Sequence, residues 1–224
     1  MASSIITLLT DFGQRDGFVG TMKGVILNTY PDAKIVDISH DIEPQNLAAG
    51  AFVINTCYKY FPTGTVHVVV IDPGVGSKRR IICVAASGHF FLAPDNGVLK
   101  YIYDECPETQ VVEVTNRKLV LSQISHTFHG RDIFAPVAAH LAKGLDLKEL
   151  GASIHDYDKG RLPVLEEAVD RIKGEIIYID RFGNLISNIP ADELDKYRDK
   201  PIRIKIKKWI LCPWYVQGTN CFNW

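Results

Sequence analysis

Over the first two thirds of the chain, short apolar runs alternate with segments of helical spacing, the pattern of a sheet flanked by helices. Ile5 to Leu9 reads as a buried strand, Val19 to Thr29 as a helix closed by Pro31, and Ala33 to Ile38 as a second strand. Asn46 to Tyr60 carries apolar residues at helical spacing and ends at FPTG. Val66 to Ile71 is almost entirely β-branched, as a central strand buried on both faces should be. Ile81 to Ala85 and Phe90 to Ala93 predict two strands joined by a Ser-Gly hairpin, and Val98 to Tyr103 a short helix. Asp132 to Ala142 predicts a helix opening just after FHG and stopping at Lys143 and Gly144.

Periodicity is lost from Gly151 to Leu165, where Asp156, Asp158, Gly160 and Pro163 fall. From Arg171 the pattern turns to period two: EIIYID, the turn RFGN, LISNI, and later PIRIKIKKWI. Short strands with polar alternation imply a small antiparallel sheet or barrel. The expected organisation is an α/β domain over 1–155, a linker over 156–170 and a small β domain over 171–224.

Composition narrows the function classes. Hydrophobic residues make up 46% and charged residues 23% of the 224, with a formal net charge of -1, so the chain has the makings of a core and no electrostatic grip on nucleic acid or anionic lipid. The start, MASSIITLLTDFG, lacks basic residues and breaks its apolar run at Asp11, which fits neither a signal peptide nor a membrane span and makes a cytoplasmic protein the expectation. Cys57, Cys83, Cys106, Cys212 and Cys221 contain no CxxC pair and read as reduced, mostly buried thiols.

Four stretches place polar residues directly after apolar runs, where an α/β sheet presents its ligand site beyond the carboxyl ends of its strands. They are TDFGQRDG (Thr10 to Gly17), IDPGVGSKRR (Ile71 to Arg80), APDNG (Ala93 to Gly97) and TFHGRD (Thr127 to Asp132). In the second, a guanidinium near Asp72 makes that carboxylate an orienting acceptor more than a strong base; a turn Asp beside a solvated basic pair fits the same residues. His129 in TFHGRD can take a proton near neutral pH or merely pack. His126, three residues earlier, raises a metal reading, but no partner has matching spacing. In TDFGQRDG, Asp11 can hold two ribose hydroxyls and Asp16 an ammonium, or one of them can cap a helix. In IDRFGNLISN, Asp180, Phe182 and Asn184 suit either a tight turn or a purine site, with a ring to stack on and an amide for the base edge.

Taken together and in order, TDFG, DPGVGSKRR, APDNG, TFHGRD and DRFGNLISNI resemble the SAM hydroxide adenosyltransferases, relatives of fluorinase and chlorinase, from about Ile5 to Pro190. The resemblance implies hydrolysis of S-adenosyl-L-methionine (SAM) to adenosine and L-methionine, with Asp72, Arg79 and His129 as the catalytic trio. It implies SAM contacts at Asp11, Asp16, Asp180, Phe182 and Asn184, no metal, no cofactor beyond SAM as substrate, and a homotrimer whose sites lie between the first domain of one subunit and the second of its neighbour. One departure stands out: the NSxGxxEIA-like segment of the family is absent, and KKWILCPWYVQGTNCFNW stands in its place. The β domain thus reads as truncated or altered at its end. The alternatives are a SAM- or adenosine-binding protein without turnover and a SAM-dependent halogenase.

Overall fold

The computed structural model describes residues 4–161, 163, 165–168, 170–197, 203–206, 209–211 and 221–222, the last two stretches by backbone alone. Two compact units, Met1–Arg161 and Leu162–Trp224, divide the chain.

The first unit is built on a six-stranded sheet. Its elements are β1 (Ile5–Thr10), α1 (Phe18–Thr29), β2 (Lys34–Ser39), α2 (Leu47–Cys57), β3 (Val66–Val70), β4 (Ile81–Ala86), β5 (His89–Pro94), α3 (Lys100–Glu105), β6 (Gln110–Glu113) and α4 (Ala135–Ala142). The strand order is β2-β1-β3-β5-β4-β6. β2, β1, β3 and β5 run parallel, while β4 is antiparallel to both β5 and β6.

Alternation along the central strands decides which helices cover which face. Ile6, Leu8, Val66, Val68 and Val70 share a core with Met22 and Ile26 of α1 and with the small residues Ala135, Ala138, Ala139 and Ala142 of α4. The opposite face receives α2, whose Gly50 lies so close to Ile71 that a Cβ there would stand 2.8 Å from Cδ1. α2 is capped by Asn46, whose side-chain oxygen accepts from the Ala49 N–H at 3.0 Å, as an N-cap residue should.

That opposite face also buries a polar chain. The fully buried His67 takes a 2.8 Å hydrogen bond through Nδ1 with Thr7 Oγ1, and its Nε2 lies 3.2 Å from His89 Nδ1. Burial, and after it the neighbouring His89, pushes the His67 pKa down to about 3, so the imidazole stays neutral.

Five expectations need correction. The short strand β6, absent from the sequence reading, closes the sheet by pairing with β4. The burial on both faces expected of the central strand does not extend to β2, an edge strand that leaves Val36 exposed. The short helix starts at Lys100, not Val98, and the helix after FHG starts as one π-helical stretch, Gly130–Phe134, before α4. Of the three described cysteine side chains only Cys83 is buried; Cys57 and Cys106 are partly exposed.

The second unit holds β7 (Glu166–Ala168), β8 (Arg171–Lys173), β9 (Ile176–Ile179), β10 (Leu185–Ser187), α5 (Ala191–Asp195), β11 (Ile204–Ile206), β12 (Trp209–Leu211) and β13 (Cys221–Phe222). Its described strands form antiparallel sets: β13-β10-β9, β11-β12 and β7-β8. In the tail from Lys207, the residues 207–208, 212–220 and 223–224, Cys212 included, lie outside the described residues.

Candidate active site

The topology brings three of the four polar stretches to one edge of the sheet. β1, β3 and β5 run parallel with Thr10 beside Val70 and Val68 beside Leu92, so the residues following them emerge side by side. β4 runs the other way and starts, with Ile81 opposite Pro94, where β5 ends. Asp72, just beyond β3, and Arg79, just before β4, therefore meet across the DPGVGSK loop.

The pair they form is tight. Arg79 Nε donates to both carboxylate oxygens of Asp72 at 2.9 Å, and Nη2 donates to Oδ2 as well. Both side chains are nearly sequestered, 9% exposed for Arg79 and 5% for Asp72, which places the ion pair in a medium where its charges are weakly screened.

Nη2 of Arg79 also donates to Nδ1 of His129 at 2.8 Å. A guanidinium has no lone pair to offer, so His129 Nδ1 is the acceptor and the ring proton of the neutral imidazole sits on Nε2. Burial, and after it the Arg79 charge, holds the His129 pKa below its ordinary value, against the opposing pull of Asp72, Asp132 and the Ser125 backbone. Asp72, Arg79 and His129, separated by as many as 57 positions, thus form one hydrogen-bonded line.

Two glycines make the approach possible. Gly76, at φ 77, lies against the backbone carbonyl of His126, where a side chain would collide. This seats the DPGVGSK loop on the segment leading to His129. A Cβ on Gly130 would stand 3.1 Å from both Met22 Sδ and Phe12 Cε2, so its absence lets the chain after His129 pack against α1 and the TDFG loop. The π-helical stretch then begins, a form often found at functional sites. Inside it the buried Asp132 accepts from the Ser125 N–H at 2.7 Å, from Ser125 Oγ at 2.8 Å and from Arg131 Nε at 2.5 Å. Burial alone raises a carboxyl pKa; these donors outweigh it and hold Asp132 below the usual range.

The TDFG loop is fixed by β2 and its continuation. Thr10 Oγ1 and His40 Nδ1 share a 2.8 Å hydrogen bond, the Gly13 N–H donates to the His40 carbonyl at 2.7 Å, and the Gln45 N–H donates to Asp11 Oδ2 at 2.8 Å. Asp16 is exposed on the same loop. Sequence reasoning missed His40, and it missed the cluster of Phe12, Phe18 and Phe128, whose ring centroids lie 5.1 to 6.0 Å apart beside Gly130. Arg131 lies over Phe128 at 5.1 Å. The recurrence of Phe beside the two glycine turns was the available signal.

In the second unit, Asp180, Phe182 and Asn184 are gathered in one turn between β9 and β10. Asp180 Oδ1 accepts from the N–H groups of Phe182 and Asn184 at 2.8 Å each, and Oδ2 from Asn184 Nδ2 at 2.6 Å. The Asp180 carboxyl feels burial first, which raises its pKa, yet these donors leave it lowered overall. Asp180 and Asn184 are thus tied into a tight turn, while Phe182 stands out from it, 90% exposed. His126 is exposed, and among the described residues no group of three His, Cys, Asp or Glu side chains is placed to hold a metal ion.

Comparison with known proteins agrees over both units. The family model for the SAM hydroxide adenosyltransferase N-terminal domain matches residues 6–151 and that for the C-terminal domain residues 174–217. The chain is 42% identical over 211 residues to the (R)-S-adenosyl-L-methionine hydrolase of Methanocaldococcus jannaschii, spanning 91% of this chain and 73% of that protein. It is 30% identical over 221 residues to a fluorinase from an Actinoplanes species, spanning 86% of this chain and 74% of that protein. A crystal structure of an uncharacterized conserved protein from Thermotoga maritima superposes with a TM-score of 0.83 at 39% identity, covering 92% of this chain and 80% of that one.

Proposed function

The chain belongs to the SAM hydroxide adenosyltransferase family, and from that premise we propose that Asp72, Arg79 and His129 carry out its reaction. It is a SAM hydrolase, releasing adenosine and, by balance, methionine. The observation that carries the assignment of roles is the continuous line from the Asp72 carboxylate through the Arg79 guanidinium to His129 Nδ1.

The substrate's 5′ carbon already bears a sulfonium, a good leaving group, so the protein needs no general acid and its task is to place a water in line behind that carbon. The water oxygen bonds to C5′ as the C5′–S bond breaks, and the bond pair goes to sulfur to leave the neutral thioether. The oxygen becomes strongly acidic only as it bonds to carbon, so a weak base suffices. Asp72 fixes the water and takes that proton. Arg79 holds the water in line by donating to its oxygen through Nη1, the amino group that its contacts with Asp72 and His129 leave over. His129 orients the water and does not deprotonate it, because its only lone pair already accepts from Arg79.

Asp11 and Asp16 would hold the ribose and the methionine ammonium, and Asp180, Phe182 and Asn184 the adenine. An aromatic side chain as exposed as Phe182 lacks a partner surface within its own turn. That fits a homotrimer in which the turn of one subunit closes the first-unit site of its neighbour. No helix among the described residues is long and apolar enough to cross a membrane, in keeping with a cytoplasmic enzyme. The names of several relatives specify the R configuration at sulfur, and we extend that preference to this chain.

The test is incubation with each sulfonium epimer of SAM in oxygen-18 water, with mass spectrometry of the products. Labelled adenosine with methionine, faster from the R epimer, is expected. Saturable SAM binding without adenosine would make the protein a binder, and a 5′-halogenated product formed only with halide would make it a halogenase.

A further inference from the structure

The loop between Asp72 and Arg79 is largely exposed from Pro73 to Lys78 and has few ties of its own. The Val75 N–H donates to the Asp72 carbonyl at 3.2 Å, the Ser77 N–H to the Gly74 carbonyl at 3.1 Å, and the Arg79 N–H to Ser77 Oγ at 3.2 Å. These are long bonds at a solvent-facing turn, and by themselves they do not fix the two ends of the loop relative to each other.

The fixing comes from the tip of β5. Asn96 Nδ2 donates to the carbonyl of Ile71, the residue before Asp72, at 2.9 Å. The amide of Asn96 is held in turn, because its Oδ1 accepts from the Val98 N–H at 3.2 Å. Asp95 grips the residue after Arg79: Oδ2 accepts from Arg80 Nε at 2.9 Å, and the Asp95 N–H donates to the Arg80 carbonyl at 3.0 Å. The other carboxylate oxygen accepts from the Asp158 N–H at 2.8 Å, and Arg80 reaches on to Asp156 with Nη1 on Oδ1 and Nη2 on the carbonyl, both at 2.8 Å. One dipeptide thus holds the residue on the outer flank of each partner.

We propose that Asp95 and Asn96 are the positioning residues of the Asp72–Arg79 pair, setting the separation and alignment of the carboxylate and guanidinium that meet the attacking water. This inference rests on the roles proposed above for that pair. Neither residue touches the substrate in this account; each acts through the backbone beside a reacting side chain. Misplacement of a reacting group by about 1 Å can cost about 100-fold in rate, so the effect should fall on turnover and not on SAM binding.

The decisive variants are Asn96→Ala, which removes the donor to Ile71, and Asp95→Asn, which keeps the shape and the acceptor for Asp158 but removes the charge facing Arg80. For each, kcat should fall by about 10-fold to 100-fold while KM for SAM stays within about 3-fold of wild type. The side-chain Nε–H resonance of Arg79, followed by proton–nitrogen NMR of the full-length protein, should exchange with solvent faster in both variants than in wild type. A purely structural role would lower the melting temperature without that split between kcat and KM. Unchanged kcat in folded variants, equal losses in kcat and SAM affinity, or an Arg79 Nε–H as protected as in wild type would overturn the proposal. If wild type itself made no adenosine, the assigned chemistry would fail, and the Arg79 exchange measurement would still decide the positioning.

Discussion

Replacing Arg79 by Met while leaving Asp72 in place tests whether the two act as one unit. The Asp72 side chain is 5% exposed and accepts three hydrogen bonds from Arg79. Removing the cation leaves a sequestered carboxylate without its counter-charge, and breaking such a pair costs about 3–5 kcal/mol. Both side chains keep a little solvent exposure, so the lower end applies, about 3 kcal/mol. For a protein of this length that is a fall of roughly 6–12 °C in Tm. The companion change Asp72→Asn costs a similar amount, since it strands the guanidinium. The double variant Asp72→Asn/Arg79→Met strands neither charge and should return to within about 1 kcal/mol of wild type, a coupling of several kcal/mol. Thermal unfolding by circular dichroism without SAM measures all four proteins. Adenosine formation should be lost by at least about 100-fold in every variant, including the restabilised one. A double variant whose destabilisation equals the sum of the singles would refute the buried-pair reasoning.

Other consequences are quicker to check. Because the His129 pKa lies below its ordinary value, kcat/KM should be flat from about pH 8 down to about pH 6.5 and fall only in more acid solution, where a proton on Nδ1 displaces the Arg79 bond. His67, at about 3 when folded and about 6.5 when unfolded, binds a proton more readily in the unfolded chain. Its contribution is therefore intact above pH 6.5 and lost as pH falls, by about 2 kcal/mol at pH 5; in urea unfolding, wild type should lose about that much more stability than His67→Gln between about pH 7.5 and about pH 5. Phe182→Ala should raise KM for SAM about 10-fold with kcat little changed; an unaltered KM would remove Phe182 from the adenine site. Exchanging chloride for gluconate at constant ionic strength should leave the wild-type rate unchanged, while chloride should inhibit Asp72→Asn.

How much of this could be read along the chain depends on the range of the forces involved. The central strands declare themselves because a strand buried on both faces is apolar at nearly every position, as Val66 to Val70 is apart from His67, whose ring is satisfied by Thr7 and His89. β6 has only four residues, QVVE, and its strand character comes from pairing with β4, which no local pattern records. The edge at which the polar stretches meet was legible, since each follows an apolar run and strands in such sheets end together. That His129 would reach Arg79 was implied only by family resemblance, because no periodicity spans 50 positions. Arg80 shows the limit most clearly: beside Arg79 it reads as half of a solvated basic pair, yet it turns onto Asp95 and onto Asp156, 76 positions away. The turn at Asp180 was legible as a turn because its hydrogen bonds span only two to four residues.

With the roles proposed for Asp72, Arg79 and His129, their charge balance bears on why water, and not an anion, would be the natural nucleophile. With His129 neutral, the Asp72 carboxylate cancels the Arg79 guanidinium, and the three side chains together carry no net charge. An anion placed about 4 Å from both would gain roughly 4 kcal/mol from Arg79 at an effective dielectric of about 20, and lose about as much to Asp72. Stripping its hydration shell would then go uncompensated by these three side chains. Water meets no such penalty, because it can donate to the carboxylate and accept from the guanidinium at once. The substrate supplies the rest of the driving force, since its sulfonium is already a good leaving group, and the positive charge it loses departs as the water proton that Asp72 takes. A site that must only hold a neutral nucleophile in line gains more from rigid geometry than from strong bases. This accounts for a carboxylate tied by three hydrogen bonds to its neighbour and a histidine whose lone pair is already engaged.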